Sequence, residues 1–263
     1  MGNTTDRETD KRALRARRAS SFGTHAAAYA EHRPDYPLAA VQWALEPVPA
    51  VPAPVVLDLG AGTGKLTEGL LAAGATVIAV EPDDGMRVEL MRRLPGVRAY
   101  EGTAEAIPLA TGSVDAIVAG QAFHWFDQDR AFPEFARVLR RGGVFAALWN
   151  TDDKRVGWVA GLADVTRTDA STTAVEPGDS ALPAHPLFED FVSAEFPHSQ
   201  RRTAETLAAT IGTHSHTLVV SAQQRAEVLG RIVDYLHSRP ETAEGEFDLP
   251  LVTLVLRARL RGN

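Results

Sequence analysis

The sequence predicts an α/β protein: one doubly wound, mostly parallel seven-stranded sheet, with a helical cap before the core and a helical lid inserted near the end. Three observations carry this. Between Val55 and Trp149, short runs rich in Val, Ile, Leu and Ala alternate with longer helix-forming segments, the pattern of a parallel sheet covered on both faces. The first run leads straight into Gly60-Ala61-Gly62-Thr63-Gly64 and then into a helix-forming segment. The chain closes on a strong β-run, LPLVTLVLRARL, ending at Leu260.

In chain order, residues 1–19 are charged, have no apolar period and read as a frayed tail. Ser20 to Glu46 can form two short helices, broken at Arg33-Pro34-Asp35-Tyr36-Pro37 because proline disfavours helix on its N-terminal side. Pro47 to Pro54 has proline at four of eight positions and reads as a stiff connector, so residues 20–54 make a cap and its link. Residues 55–150 are the core. Its strands are expected at VVLDLG, TVIAVE, VRAYEG, Val114 to Ala119 and Val144 to Trp149; its helices at KLTEGLLAAG, DGMRVELMRRL and Gln128 to Arg140, the last stopped by Gly142-Gly143. Residues 151–245 are the substrate side: a helix from Lys154 to Thr168, a long loop from Asp169 to Pro186, a strand from Phe188 to Ser199, and lid helices at Thr203 to Ile211 and Ala222 to Ser238. Residues 246–263 supply the terminal strand that completes the sheet.

Composition narrows the function. A chain of 263 residues, 44% hydrophobic, can bury one full core with a covering element. Its 34 acidic against 27 basic residues, net charge -7, argue against binding nucleic acid and leave a small molecule as the expected partner. The absence of cysteine removes disulfides, zinc-thiolate sites and thiol nucleophiles together. No apolar run reaches the roughly 18 residues of a membrane span, and the opening segment lacks the apolar stretch of a secretory signal, so no membrane partner and a cytoplasmic location are expected. Arg17-Arg18 is followed by Ser20, Ser21, His25 and Glu31, which suits a solvated tail better than a twin-arginine signal.

The glycine turn and Glu81 belong together. Glycines let the backbone turn sharply and let a ligand approach without a Cβ in the way. Glu81 ends the next strand, about twenty residues on, where a carboxylate can accept hydrogen bonds from both hydroxyls of a ribose. The dinucleotide fingerprint G-x-G-x-x-G would need its third glycine at the position of Lys65, but the glycine is Gly64, so the spacing is G-x-G-x-G. A phosphate-loop motif is excluded because Gly64-Lys65 is followed by Leu66.

With these residues in view, the sequence resembles the class I S-adenosylmethionine-dependent methyltransferases, in particular the broad small-molecule group that includes trans-aconitate methyltransferase. The motifs are VLDLGAGTGKLT at Val56 to Thr67, AVEPDDGM at Ala79 to Met86, EGTAEAIPLATGSVDAIVAGQAFHWFD at Glu101 to Asp127, and RVLRRGGVFAALWN at Arg137 to Asn150. The segment from Glu246 is similar to the last strand of that group; Thr151 to Pro186 matches nothing recognisable. The resemblance implies a Rossmann-like fold and S-adenosylmethionine as cofactor, with S-adenosylhomocysteine as product. It further implies that the backbone of Gly60, Ala61 and Gly62 faces the methionine part and that Glu81 holds the ribose. Pro82 and Met86 would pack near the adenine, Thr103, Ala104 and Glu105 would read the ring edge, and Gln121 would lie close to the sulfonium. Tyr29 and Arg33 fall where that family's cap closes over the methionine end, and an arginine there can pair with the cofactor carboxylate.

The acceptor side is expected at the ends of the fourth and fifth strands, where Phe123, Trp125, Phe126, Trp149 and Asn150 would open onto one crevice; aromatic faces attract a sulfonium methyl. His124 can take a proton from the acceptor, or be one part of an aromatic shelf that shapes the pocket. His214 and His216 either line the acceptor pocket from the lid or are structural; at i and i+2, without a third ligand, they do not make a metal site, and no metal is expected. The reaction expected is methyl transfer to O or N of a small metabolite, such as a natural-product or cyclic-peptide tailoring step. The competing classes are a non-catalytic adenosyl-ligand-binding protein of the same fold and an NAD-dependent oxidoreductase.

Overall fold

The computed structural model describes residues 33–49, 51–167, 185–214, 217 and 220–262. The expected tail over residues 1–19, the expected first cap helix, Tyr29, most of the loop expected from Asp169 to Pro186, and His216 lie outside them. The chain enters through α1 (Leu38–Leu45) and alternates β1 (Val55–Leu59), α2 (Lys65–Ala72), β2 (Thr76–Val80), α3 (Asp84–Arg93) and β3 (Arg98–Tyr100). It then forms β4 (Val114–Gly120), a 3-10 turn (Phe123–Trp125), α4 (Gln128–Val138), β5 (Leu139–Asp152) and α5 (Gly157–Val165). Last come β6 (Val192–Arg202), α6 (Ala204–Gly212), α7 (Ala222–His237) and β7 (Phe247–Arg259).

The seven strands form one sheet in the order β3-β2-β1-β4-β5-β7-β6. The first five run parallel, and β7 inserts antiparallel between β5 and β6. After β3 the chain crosses to the other side of β1, so the strand order reverses between β1 and β4. A crevice opens beyond the carboxyl ends of the strands at such a reversal, because the two flanking connections leave in opposite directions.

Both faces are dry. On one, Phe132, Phe135, Phe145 and Phe188 are fully buried with Leu57, Ile117 and Val138; each such side chain contributes roughly 1.5–3 kcal/mol by leaving water. On the other, Val41 and Ala44 of α1 pack with Leu66 and Leu70 of α2 against Val56, Val118, Leu148 and Val255. The Arg257 guanidinium lies over the Trp43 ring at 3.7 Å and pairs with Glu46 at 2.8 Å, fastening α1 to β7. α5, α6 and α7 form a third cluster with Phe247, Leu249 and Leu251 at the start of β7. That end of β7 pairs with the last residues of β5, so the lid sits at the carboxyl edge of the sheet. Among the described residues no helix is long and apolar enough to cross a membrane.

Several boundaries differ from expectation. The helix expected to reach Arg140 ends at Val138, and β5 begins at Leu139 instead of Val144. Leu139 already pairs with Val114, and the four residues up to Gly143 form a bulge, with Gly142 at φ +71, before the ladder resumes at Val144. The two glycines thus bend a strand; they do not end a helix. The strand expected from Phe188 starts at Val192, while Phe188 makes one bridge to Leu260 and turns into the aromatic core.

Candidate active site

β1 delivers the chain to the crevice and the glycine turn begins at once. Gly60 has φ +71, and a Cβ there would lie 2.7 Å from the Ala122 Cβ, because the ends of β1 and β4 touch at this point. Gly62, at φ +57, faces open space within the pocket wall. The amides of Gly60 and Ala61 donate to the Val80 carbonyl at 2.8 and 3.2 Å, and that of Gly62 donates to Glu81 Oε2 at 2.8 Å. The turn therefore docks its own N–H groups on the end of β2. Gly60 and Gly62 line the pocket, whereas Ala61 is buried and is not part of its wall.

Glu81 is 7% exposed and lines the same pocket. Its Oε1 accepts from the Asp83 amide at 2.9 Å. Burial raises its pKa, and the hydrogen bonds from the Asp83 and Gly62 amides oppose that by favouring the carboxylate. Each oxygen keeps a second lone-pair direction, so the group is aimed by the backbone and still able to accept from a ligand.

Pro82, Met86, Thr103, Ala104, Glu105 and Gln121 come together around this carboxylate, with Trp125 and Phe126 closing the wall. Met86 is 3% exposed, so it is at once core and pocket surface. Glu105 has a second duty: its Oε1 accepts from the amide of Asp127, the residue before α4, at 2.8 Å. Gln121 is the one non-glycine residue at positive φ among those described, at +55. Such backbone costs about 1–3 kcal/mol and persists where the surroundings hold it. Here the Gln121 amide donates to the Leu148 carbonyl at 2.8 Å and its Nε2 to the Asn150 carbonyl at 2.7 Å.

Other expected site residues lie elsewhere. Phe123 is 2% exposed and packs among Phe132, Phe145 and Trp149, because the 3-10 turn points it inward while Trp125 and Phe126 reach the pocket. Trp149 is buried in the same cluster. His124 does not line the pocket; its Nδ1 accepts the Trp149 indole N–H at 3.3 Å, so that nitrogen is engaged in holding the turn. Asn150 is turned to the cap entry, donating to the carbonyls of Pro34 and Asp35 at 3.3 and 3.1 Å. Arg33 donates to the Thr213 carbonyl at 3.2 Å, joining cap to lid, and His214 lies in the turn after α6; neither lines the pocket.

Sequence reasoning missed Asp83, Gly102, Gly120 and Ala122, which also line the pocket. A signal existed for Asp83: it precedes a helix-forming run and caps α3 by accepting from the Met86 amide at 2.9 Å. It also missed the state of Asp58, wholly buried behind the turn, whose Oδ2 accepts from Thr67 Oγ1 at 2.5 Å. Burial, with the nearby Glu81 charge adding to it, pushes the Asp58 pKa from 3.8 up to about 7. The folded state thus binds this proton more tightly than the unfolded chain. Its contribution is fully present below about pH 4 and is lost as pH rises through 7, on the order of a few kcal/mol. Thermal melts from pH 4 to 8 should show stability falling between about pH 4 and 7 and levelling above that, with a flatter profile in Asp58→Asn; equal slopes would refute the assignment.

Strand reversal, glycine turn, buried acid at the end of β2 and a pocket beyond the strands are the arrangement of a methyltransferase fold. The chain belongs to the class I S-adenosylmethionine-dependent methyltransferases. The methyltransferase domain family matches residues 57–147. A methyltransferase of Mycobacterium tuberculosis is 40% identical over 244 residues, covering 91% of this chain and 96% of that one. A methyltransferase-like protein of Schizosaccharomyces pombe is 31% identical over 212 residues, 79% and 82% of the two chains. Among solved structures, a type II methyltransferase from Anaeromyxobacter dehalogenans is similar, with a TM-score of 0.64 and 29% identity over 87% of this chain and 97% of that one.

Proposed function

We propose that this chain transfers the methyl group of S-adenosylmethionine to an oxygen or nitrogen of a small-molecule acceptor. The observation that carries the proposal is Glu81, a buried carboxylate held by the backbone amides of Gly62 and Asp83 at the wall of a pocket that the glycine turn also lines. That arrangement suits the two adjacent hydroxyls of a ribose, and the G-x-G-x-G spacing favours this cofactor over a dinucleotide. Pro82 and Met86 offer an apolar slot for a purine, and the loop of Thr103 and Ala104 offers polar backbone at its edge.

When bound, the cofactor supplies a methyl group already activated by its sulfonium. The residues of the chain then have to align and desolvate. Gln121, anchored through Nε2, lines the pocket with Trp125 and Phe126, and aromatic rings in the wall suit a soft cation and exclude water. The acidic balance of the chain, net charge -7, supports a small-molecule acceptor over nucleic acid. A natural-product or cyclic-peptide tailoring step fits this reading.

The test is calorimetric titration with S-adenosylhomocysteine and, separately, with NADH, followed by a screen for methyl transfer from labelled S-adenosylmethionine. The expected result is micromolar or tighter binding of S-adenosylhomocysteine, none of NADH, and a labelled small-molecule product. NADH binding without S-adenosylhomocysteine binding would favour the oxidoreductase; binding without transfer across a broad acceptor panel would favour a non-catalytic protein.

A further inference from the structure

The run LPLVTLVL in β7 contains one polar residue, Thr253, and it is wholly buried. A buried hydroxyl in an apolar strand has to be hydrogen-bonded, so its partners are informative. Thr253 lies directly opposite Asn150 on β5 and opposite Phe196 on β6. Side chains facing each other across antiparallel strands share a sheet face, and His198, two residues beyond Phe196, is the diagonal neighbour on that face. This is the face covered by α1 and α2.

The hydrogen-bond roles follow from chemistry. Thr253 Oγ1 is 2.5 Å from Asn150 Oδ1, an acceptor only, so the single hydroxyl proton goes there. His198 Nε2, 3.0 Å from the same oxygen, must then be the donor. With its oxygen held by Thr253, the Asn150 carboxamide can point only its Nδ2 toward the cap entry, where it meets two carbonyls in succession, Pro34 and Asp35. Had the carboxamide turned over, its oxygen would face those carbonyls and no bond would form. The next residue, Tyr36, places its hydroxyl so close to Gly120 that a Cβ there would lie 2.7 Å from it, and Gly120 lines the pocket. The Asn150 backbone carbonyl also receives the Gln121 side chain.

We propose that Thr253 is a positioning residue: its hydroxyl sets the Asn150 carboxamide so that the Pro34–Tyr36 segment is clamped over the pocket wall at Gly120 and Gln121. Thr253 touches no ligand and acts through Asn150. The effect on the cofactor rests on the function proposed above; the clamp itself does not.

The experiment compares wild type with Thr253→Val, Thr253→Ser and Asn150→Asp by titration with S-adenosylhomocysteine and by amide hydrogen exchange of the ligand-free proteins. Thr253→Val keeps the shape and removes the hydroxyl. It should weaken binding about tenfold, as expected for one buried hydrogen bond and the segment it orders. It should also speed exchange over residues 35–41 while β1 and β4 exchange as in wild type. Thr253→Ser should restore both readouts even though it loses a buried methyl and some melting temperature. Asn150→Asp keeps an acceptor for Thr253 but has no donor for Pro34 and Asp35, and should behave like Thr253→Val. Wild-type behaviour of Thr253→Val in both readouts overturns the proposal, as does equal impairment of Thr253→Ser, which would mean that volume and not the hydroxyl matters. If wild type itself fails to bind S-adenosylhomocysteine, the proposed function fails, and exchange alone decides the clamp: faster in Thr253→Val but not in Thr253→Ser upholds it, equal rates overturn it.

Discussion

Replacing Glu81 with alanine is expected to reduce affinity for S-adenosylhomocysteine by about 100-fold to 1,000-fold. Two charge-assisted hydrogen bonds to a ribose, each worth roughly 1.5–3 kcal/mol when shielded from water, account for about 3–6 kcal/mol, and the lower part of that range corresponds to the expected loss. Glu81 is 7% exposed, so shielding is nearly complete. The same substitution leaves the Gly62 and Asp83 amides without their acceptor, and the glycine turn should loosen as well. Glu81→Gln separates the two effects: it keeps the volume and one acceptor oxygen, but sets an NH2 group against one of those amides. Its melting temperature should lie between those of wild type and Glu81→Ala while binding remains poor. Calorimetry and thermal melts on the same preparations check both, and wild-type affinity in Glu81→Ala would remove the central support for the proposed site.

The second large effect is expected at Gly60, in stability. Alanine there meets φ +71, costing about 1–2 kcal/mol in the left-handed region, and its Cβ would overlap the Ala122 Cβ at 2.7 Å, costing about 1–3 kcal/mol more. The melting temperature of Gly60→Ala should therefore fall by about 4–20 °C, since roughly 2–4 °C accompanies each kcal/mol in a chain of this size. Gly62→Ala is the informative contrast. Its φ is +57 but nothing lies within 4 Å of the added Cβ, so only the backbone cost applies, and the methyl group stands at the pocket wall. Gly60→Ala should lose mainly stability and Gly62→Ala mainly ligand affinity. Equal melting temperatures in the two variants would refute the close approach of β1 and β4.

Both contrasts concern residues whose importance is legible in the sequence, and the reason is local. A glycine spacing, an acid about twenty residues on and a strand-helix alternation are read from neighbouring residues, because turn sterics and hydrophobic period act over a few positions. The pocket-wall residues Pro82, Met86, Thr103, Ala104 and Gln121 follow each core strand or its loop, where a parallel sheet must bring its ligand. By contrast, Phe123, Trp149, Asn150 and His124 stand in apparently equivalent places at the ends of β4 and β5, yet they pack inward or tie elements together. Their direction depends on a 3-10 turn and on which aromatic neighbours fill the core, neither of which any short window of sequence contains.

By itself, then, the sequence determined the order of strands and helices, the glycine turn, the acid that faces it and the edge of the sheet where a ligand belongs. Only the tertiary structure decided that the turn spends its amides on Val80 and Glu81, that Asp58 is buried enough to hold its proton near neutrality, and that Asn150 serves the cap through Thr253, 103 residues away. Backbone propensity and periodicity are properties of adjacent residues, whereas desolvation and the choice of hydrogen-bond partner arise only when distant segments exclude water from one another.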